Sequence, residues 1–263
     1  MGKYLALFRY EMRTIWRDPL NLYMCAFPLI MLGLSAYVFP LLFASMDALE
    51  GAVFRAVLLV LLIAILAFGS FFLAAMAAFL LLEQKDEHTL HTIAVTPLGA
   101  GGYLQFKMAY VYLMSVLGSV LILAGTKLIA GGQYVTMGVR LFDRIGWVHI
   151  IAFAAVNGLF TLVLALFQGA AARNKVEGFA LIKGTGILAL LPALMILETF
   201  QGNLQYVLGI FPNFWPIRSM LVQLMPLELG ANLSFAAYLI VGGLYNGLLL
   251  AAAYRLFLKK AQY

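Results

Sequence analysis

Within LLEQKDEHTLHTIAVTPLGAGGYLQFK, Leu81 to Lys107, the side chains of Glu87, His88 and His91 stand at spacings that can present three metal ligands on one helix face. A closed zinc site needs a fourth ligand, and no cysteine or further histidine lies nearby, so no metal is expected. The run Glu83, Lys85, Asp86, Glu87 and His88 reads instead as a solvated surface for a partner. Other chemistries are excluded by motif. No G-x-x-x-x-G-K-[ST] occurs, so the chain by itself does not cradle a nucleoside triphosphate by the P-loop route. The run GTGILA, Gly184 to Ala189, fits a loose dinucleotide pattern but lies inside an apolar stretch and follows no soluble strand, so its glycines are read as thinning a helix for packing. Neither H-E-x-x-H nor G-x-S-x-G is present, which removes the common intramembrane hydrolase signals.

Polar groups inside apolar stretches are costly and default to function. Lys183 is the clearest, although it lies close enough to one end of its stretch for its stem to reach the interface. Asn157, Thr161 and Gln168 recur at spacings of four and seven, a polar stripe that fits either a substrate path or hydrogen bonding between helices. Asn246 stands beside Gly243-x-x-x-Gly247, a spacing that permits close helix contact.

The elements that must position these residues follow from composition. The chain of 263 residues is 64% hydrophobic and 11% charged, with a mean hydropathy of +0.99, beyond the roughly 45–50% apolar content of soluble domains. Apolar stretches long enough to cross a bilayer recur along its whole length, at about 20-44, 54-82, 104-127, 147-171, 178-198 and 232-256. The expected fold is an all-α polytopic membrane protein of one domain. Residues 1–18 precede the first span as an amphipathic interfacial helix, with Leu5, Phe8, Met12 and Ile15 on one face, Trp16 beside them, and Arg9, Arg13 and Arg17 flanking among lipid phosphates. Pro28 and Pro192 should bend the first and fifth spans. Between the fifth and sixth, residues 199–231 are too apolar for a solvated loop and are broken by Pro212, Pro216 and Pro226, which predicts a re-entrant or interfacial segment on the outer face with Phe214 and Trp215 near the headgroups. Twelve Lys and Arg fall on the side of the N-terminus and five opposite, so the positive-inside rule puts both termini, the 83–103 loop and the 172–177 loop in the cytoplasm of a cell-membrane protein. The basic balance belongs to that membrane face and not to nucleic acid. The single cysteine, Cys25, allows no internal disulfide.

Taken in order, a basic interfacial helix ending in WRDP, a proline in the first span, the 83–107 stretch and a proline-broken segment before the last span resemble the permease subunit of a type-2 ATP-binding-cassette (ABC) exporter. The matching loop residues are Glu83, Glu87, Thr89, Leu90, Thr96, Pro97, Leu98 and Lys107, with His88 where the family usually has Gly. The resemblance implies an ATPase-docking loop that includes Asp86 and His88, two paired permeases from identical or related chains, and two separate cytoplasmic ATPase subunits that bind ATP and Mg²⁺, so this chain holds no cofactor and is a transport subunit, not an enzyme. Thr96 can cap a short helix opened by Pro97, and Gly99, Gly101 and Gly102 supply a flexible turn. A cavity walled by Phe, Met and Leu suits a lipophilic or amphipathic drug-like cargo. A lipid-linked glycan or lipid moved by the same machinery is the alternative, and a channel or scaffold without ATP drive is the rival from another class.

Overall fold

The computed structural model describes residues 2–45, 51–86, 99–136, 138–225 and 232–261. Helix α1, Gly2–Arg17, gives way at Asp18, whose backbone is extended and whose carboxylate accepts hydrogen bonds from Leu20 N (2.9 Å) and Asn21 Nδ2 (3.0 Å). That carboxylate caps α2, Pro19–Ser45, with Pro19 at a first position that needs no N–H. The remaining long helices are α3, Gly51–Asp86; α4, Gly99–Ala130; α5, Trp147–Ala171; α6, Lys175–Ala189; and, after a short helix α7 at Phe214–Leu224, α8, Phe235–Ala261. Six helical stretches are long and apolar enough to span a bilayer, which bears out the all-α polytopic architecture.

Helices α3 and α5 form the centre. Their most apolar windows are 67% and 61% buried within the chain, against 22% for those of α6 and α8, so the last two present most of their surface outward. Helix α5 packs on α8, α4 and α3, while α2 leans on α3 and α4, and α1 crosses beneath α2. Lipid tails are as apolar as leucine, so close packing and hydrogen bonds hold such helices together. The hydrogen bonds run through the middle. Asn157 on α5 donates to Ser70 Oγ on α3 (2.5 Å) and Ser119 Oγ on α4 (3.4 Å), and Thr161 shares a bond with Ser115 (2.6 Å).

Pro28 leaves α2 helical, and its ring packs against α4 at Gly118, where an added Cβ would come within 3.0 Å of Pro28 Cγ. A π-helical turn follows at Leu34–Val38. There the Ser35 carbonyl accepts from the Tyr134 hydroxyl (2.6 Å) and the Ser35 hydroxyl bonds Thr126 (2.5 Å). Tyr134 lies just past the third span, and burial pushes its phenol well above its usual range, which keeps it a donor. Strands β1, Val135–Thr136, and β2, Val139–Arg140, pair antiparallel at that end. Lys127 is drawn into the same corner, donating to the carbonyls of Phe142 (2.6 Å) and Ile145 (2.7 Å). One of the five basic charges on this side is thus consumed by backbone carbonyls.

Several expectations are corrected. Pro192 does not bend the fifth span: α6 stops at Ala189 and Pro192 opens the 3₁₀ stretch Leu191–Ile196. Phe214 is fully buried, and Trp215 is folded inward with its indole N–H on the Gly209 carbonyl (2.9 Å), so neither residue forms an outer aromatic belt. Gly101 and Gly102 lie in the first turn of α4, not in a loop, while Gly99 opens that helix with a left-handed backbone (φ 66°). On α1, Ile15 is buried together with Glu11, whereas Leu5 and Trp16 are more than 70% exposed. The contact glycine of α8 is Gly242, where a Cβ would meet Trp215 Cβ at 2.8 Å, while Gly247 has nothing within 4 Å and Gly243 only Val156 at 3.9 Å. Gly242→Val is therefore expected to destabilise the detergent-solubilised chain by about 1–3 kcal/mol, the usual range for overpacking. Gly247→Val should leave the midpoint of thermal unfolding unchanged; equal shifts for the two variants would contradict this assignment.

Candidate functional site

One end of the bundle gathers the charges. At 36 residues, α3 is about 54 Å long, well beyond a hydrocarbon core of about 30 Å, so its charged final turn has length to spare to reach water. That turn is fastened to the start of α6. Glu83 pairs with Lys175 Nζ (3.2 Å), Asp86 Oδ2 accepts from Lys175 N (3.1 Å), and Lys85 donates to the carbonyls of Gly169 and Ala172 while lying 5.2 Å from the Phe257 ring centre on α8. Asn174 caps α6 by accepting from Glu177 N (2.9 Å). The end of α3, the α5–α6 turn, the start of α4 and the last turns of α8 thus share one face with α1. Of the sequence-derived docking residues, Glu83 and Asp86 stand on this platform. Glu87, His88, Thr89, Leu90, Thr96, Pro97 and Leu98 lie outside the described residues.

Beneath the platform is a cluster the sequence reading missed. Lys107 on α4 is fully buried, and its ammonium reaches Glu11 Oε1 (3.4 Å), the Leu80 carbonyl (3.2 Å) and the Tyr103 hydroxyl (3.2 Å). Tyr103 donates to the same Glu11 oxygen (2.5 Å) and accepts from Gln84. Glu11 is the only acidic residue of α1, flanked by three arginines, and Lys107 is the only lysine in the first five turns of α4. That opposite pairing was the available signal, but Lys107 was read as a loop match and a basic residue of the membrane face, without Glu11 as its partner. Of the residues read as interfacial, Arg9, Arg13, Trp16 and Arg17 are all exposed.

The five residues read as a possible substrate path separate into different settings. Asn157 and Thr161 lie in the sealed hydrogen-bond ladder between α3, α4 and α5. Asn246 is likewise buried and donates to the carbonyls of Pro212 (3.1 Å) and Gly242 (2.9 Å), tying α8 to the broken segment before α7. Lys183 is exposed on α6, its ammonium 4.6 Å from the Phe179 ring centre. Gln168 donates to Thr185 (2.7 Å), and Thr185 lines a cavity of about 410 Å³ between α5, α6 and α8. The wall is almost entirely apolar. Phe160 and Phe167 come from α5, Leu188 from α6, and Ala253 and Leu256 from α8, and Phe211 to Asn213 close one end. Asn213 is fixed there by donating to the Ala189 carbonyl (2.8 Å). Arg218, fully buried in α7, donates from Nε to Gln205 (2.7 Å) and faces the Tyr238 ring at 5.7 Å; it braces the broken segment and is not a solvated outer charge.

With this geometry in view, the family model described as Fluoroquinolones export permease protein Rv2686c-like matches residues 11–254. The chain is 26% identical over 259 residues to two proteins of Mycobacterium tuberculosis, the fluoroquinolones export permease proteins Rv2686c (strain ATCC 25618 / H37Rv) and MT2760 (strain CDC 1551 / Oshkosh), covering 97% of this chain and 94% of each relative. A family match that takes in α1's buried glutamate, all six spans and the charged connection leaves the architecture and the kinship in agreement: the chain belongs to the Rv2686c-like export permease family, the membrane-spanning subunits of ABC exporters.

Proposed function

We propose that the chain carries drug-sized, lipophilic or amphipathic aromatic compounds outward across the cell membrane, fluoroquinolones among them, and that the cavity between α5, α6 and α8 receives the apolar part of the cargo. The observation that carries this reading is the cavity itself. Its volume of about 410 Å³ falls within the roughly 300–1,000 Å³ typical of small-molecule sites, and its lining is aromatic and aliphatic with Thr185 and Asn213 as polar handles. An apolar wall gains little from a highly charged glycan, which favours the drug-like cargo over the lipid-linked one.

In this reading two copies pair, and separate ATPase subunits bind ATP and Mg²⁺ and dock on the platform from the cytoplasm, with both termini on their side. Closure of the ATPases shifts the spans between inward-open and outward-open states, which requires that their contact with the platform differ between the two. Ala253→Trp on α8 would fill much of the cavity. Reconstituted with its ATPase, the wild-type complex should show fluoroquinolone-stimulated hydrolysis, and the variant should lose about tenfold or more of that stimulation while keeping its basal rate. Undiminished stimulation in the variant would move the cargo site elsewhere; no stimulation of the wild type would remove this class of cargo.

A further inference from the structure

A second cavity, of about 290 Å³, lies between α1 and the adjoining ends of α3 and α4, close to the lower limit of small-molecule pockets. Its lining differs in kind from that of the first. Tyr10, Glu11, Arg13, Thr14 and Arg17 come from α1, Asp18 follows it, and Glu83, Gln84 and Lys107 complete the polar wall. Two carboxylate oxygens of this wall, Oε2 of Glu11 and Oε2 of Glu83, are buried with no hydrogen-bond partner among the described residues. Glu11 itself is 1% exposed.

Among the described residues, the nearest ammonium is already engaged. An ammonium has three protons, and those of Lys107 are directed at Glu11 Oε1, the Leu80 carbonyl and the Tyr103 hydroxyl. The Tyr103 proton goes to the same Oε1. Lys175 meets Glu83 through its other oxygen. A buried carboxylate oxygen left without a donor is costly, and two on one cavity call for a ligand that brings N–H groups with positive charge. The guanidinium groups of Arg13 and Arg17, both exposed, suit an anion, since arginine holds phosphate and carboxylate in fork geometry.

We propose that this cavity binds a zwitterion in which an N–H-bearing ammonium neighbours an anionic group, the ammonium meeting Glu11 and Glu83 and the anion meeting Arg13 and Arg17. Two sources present that chemistry: a phosphatidylethanolamine headgroup, whose acyl chains would lie along the exposed Leu5, Phe8 and Trp16 of α1, or an amphoteric solute with an amine and a carboxylate. A quaternary ammonium has no N–H to donate, so phosphatidylcholine is the discriminating control. The inference does not rest on the export reading, because its test uses the purified chain alone.

The detergent-solubilised chain is titrated with short-chain phosphatidylethanolamine and phosphatidylcholine, and bound lipid is counted by native mass spectrometry. Phosphatidylethanolamine should bind at one site about tenfold more tightly than phosphatidylcholine, the ratio expected for one charge-assisted hydrogen bond. Glu83→Gln should erase that preference, whereas Arg13→Gln with Arg17→Gln should weaken both lipids, since both carry phosphate. The arginine pair is exposed, so an unchanged unfolding midpoint can certify its fold even where Glu83→Gln is damaged. A fluoroquinolone bearing a secondary ammonium and a carboxylate is then added. Displacement of the lipid assigns the cavity to cargo as well, and retention of the lipid assigns it to the headgroup alone. Equal affinity for the two lipids in the wild type, or a preference that survives Glu83→Gln in folded protein, overturns the proposal.

Discussion

Lys107→Met is expected to lower the stability of the purified chain by about 3–5 kcal/mol, the range for removing one partner of a buried ion pair. The cost comes from what is left behind more than from the lost attraction. With the ammonium gone, Glu11 keeps only the Tyr103 hydroxyl as a donor among the described residues, in a setting where it is 1% exposed. Glu11→Leu combined with Lys107→Met removes both charges, and because an apolar pair of similar volume often matches a buried ion pair, the double variant should recover most of the loss. Thermal unfolding of the two single variants and the double variant gives the coupling directly. If the double variant unfolds as readily as Lys107→Met, the damage lies in packing around the lysine stem and the electrostatic account is wrong. Recovery of fold need not mean recovery of transport: the pair joins α1 to the first turns of α4, and a double variant with wild-type stability but slower export would show that the tie transmits motion.

The contrast between that pair and the rest of the chain shows what a single sequence exposes. Span positions were legible because hydropathy is local: the fourth span falls at Trp147–Ala171, as read, and the limits of the others lie within six residues of the reading. Longer discrepancies have physical causes. Helix α6 ends nine residues early because Pro192 finds a 3₁₀ stretch and Asn213 available to take the freed Ala189 carbonyl, a partner 24 residues away that no local pattern reveals. The glycines after Thr96 could be assigned to a turn or a helix start with equal propriety, and only in the second does a Cβ added at Gly101 come to 3.9 Å from the Tyr254 hydroxyl. Asn157 and Thr161 were identified as a stripe, but a stripe has the same spacing whether it faces a cavity or serines on α3 and α4. Only the neighbours decide. The apolar cavity was inferable in character and not in place, since its walls come from three helices and a broken segment far apart in sequence.

Replacing Glu87, Thr89 and Leu90 together by alanine should abolish co-purification of the ATPase without moving the unfolding midpoint of the permease. The three residues lie between α3 and α4, in the connection whose Thr-Leu and Thr-Pro-Leu spacing resembles the docking loop of type-2 exporters. In the proposed reading this connection is the handle, and its flanks are fastened to the bundle. Asp86 holds the first backbone N–H of α6, Glu83 holds the Lys175 ammonium, and Lys85 holds carbonyls at the end of α5, so a force applied there reaches α3, α5 and α6 together. On the other flank α4 carries Lys107 and, through it, α1. Helices α5 and α6 are two walls of the apolar cavity, so under the proposed function movement of the handle would change the space offered to cargo. Asp86→Ala separates the two roles: the ATPase should still bind, but drug-stimulated hydrolysis should fall several-fold because one link between handle and wall is gone. Retained ATPase binding in the triple variant would place the docking surface elsewhere on the platform, and normal stimulation in Asp86→Ala would show that the α3–α6 link carries no motion.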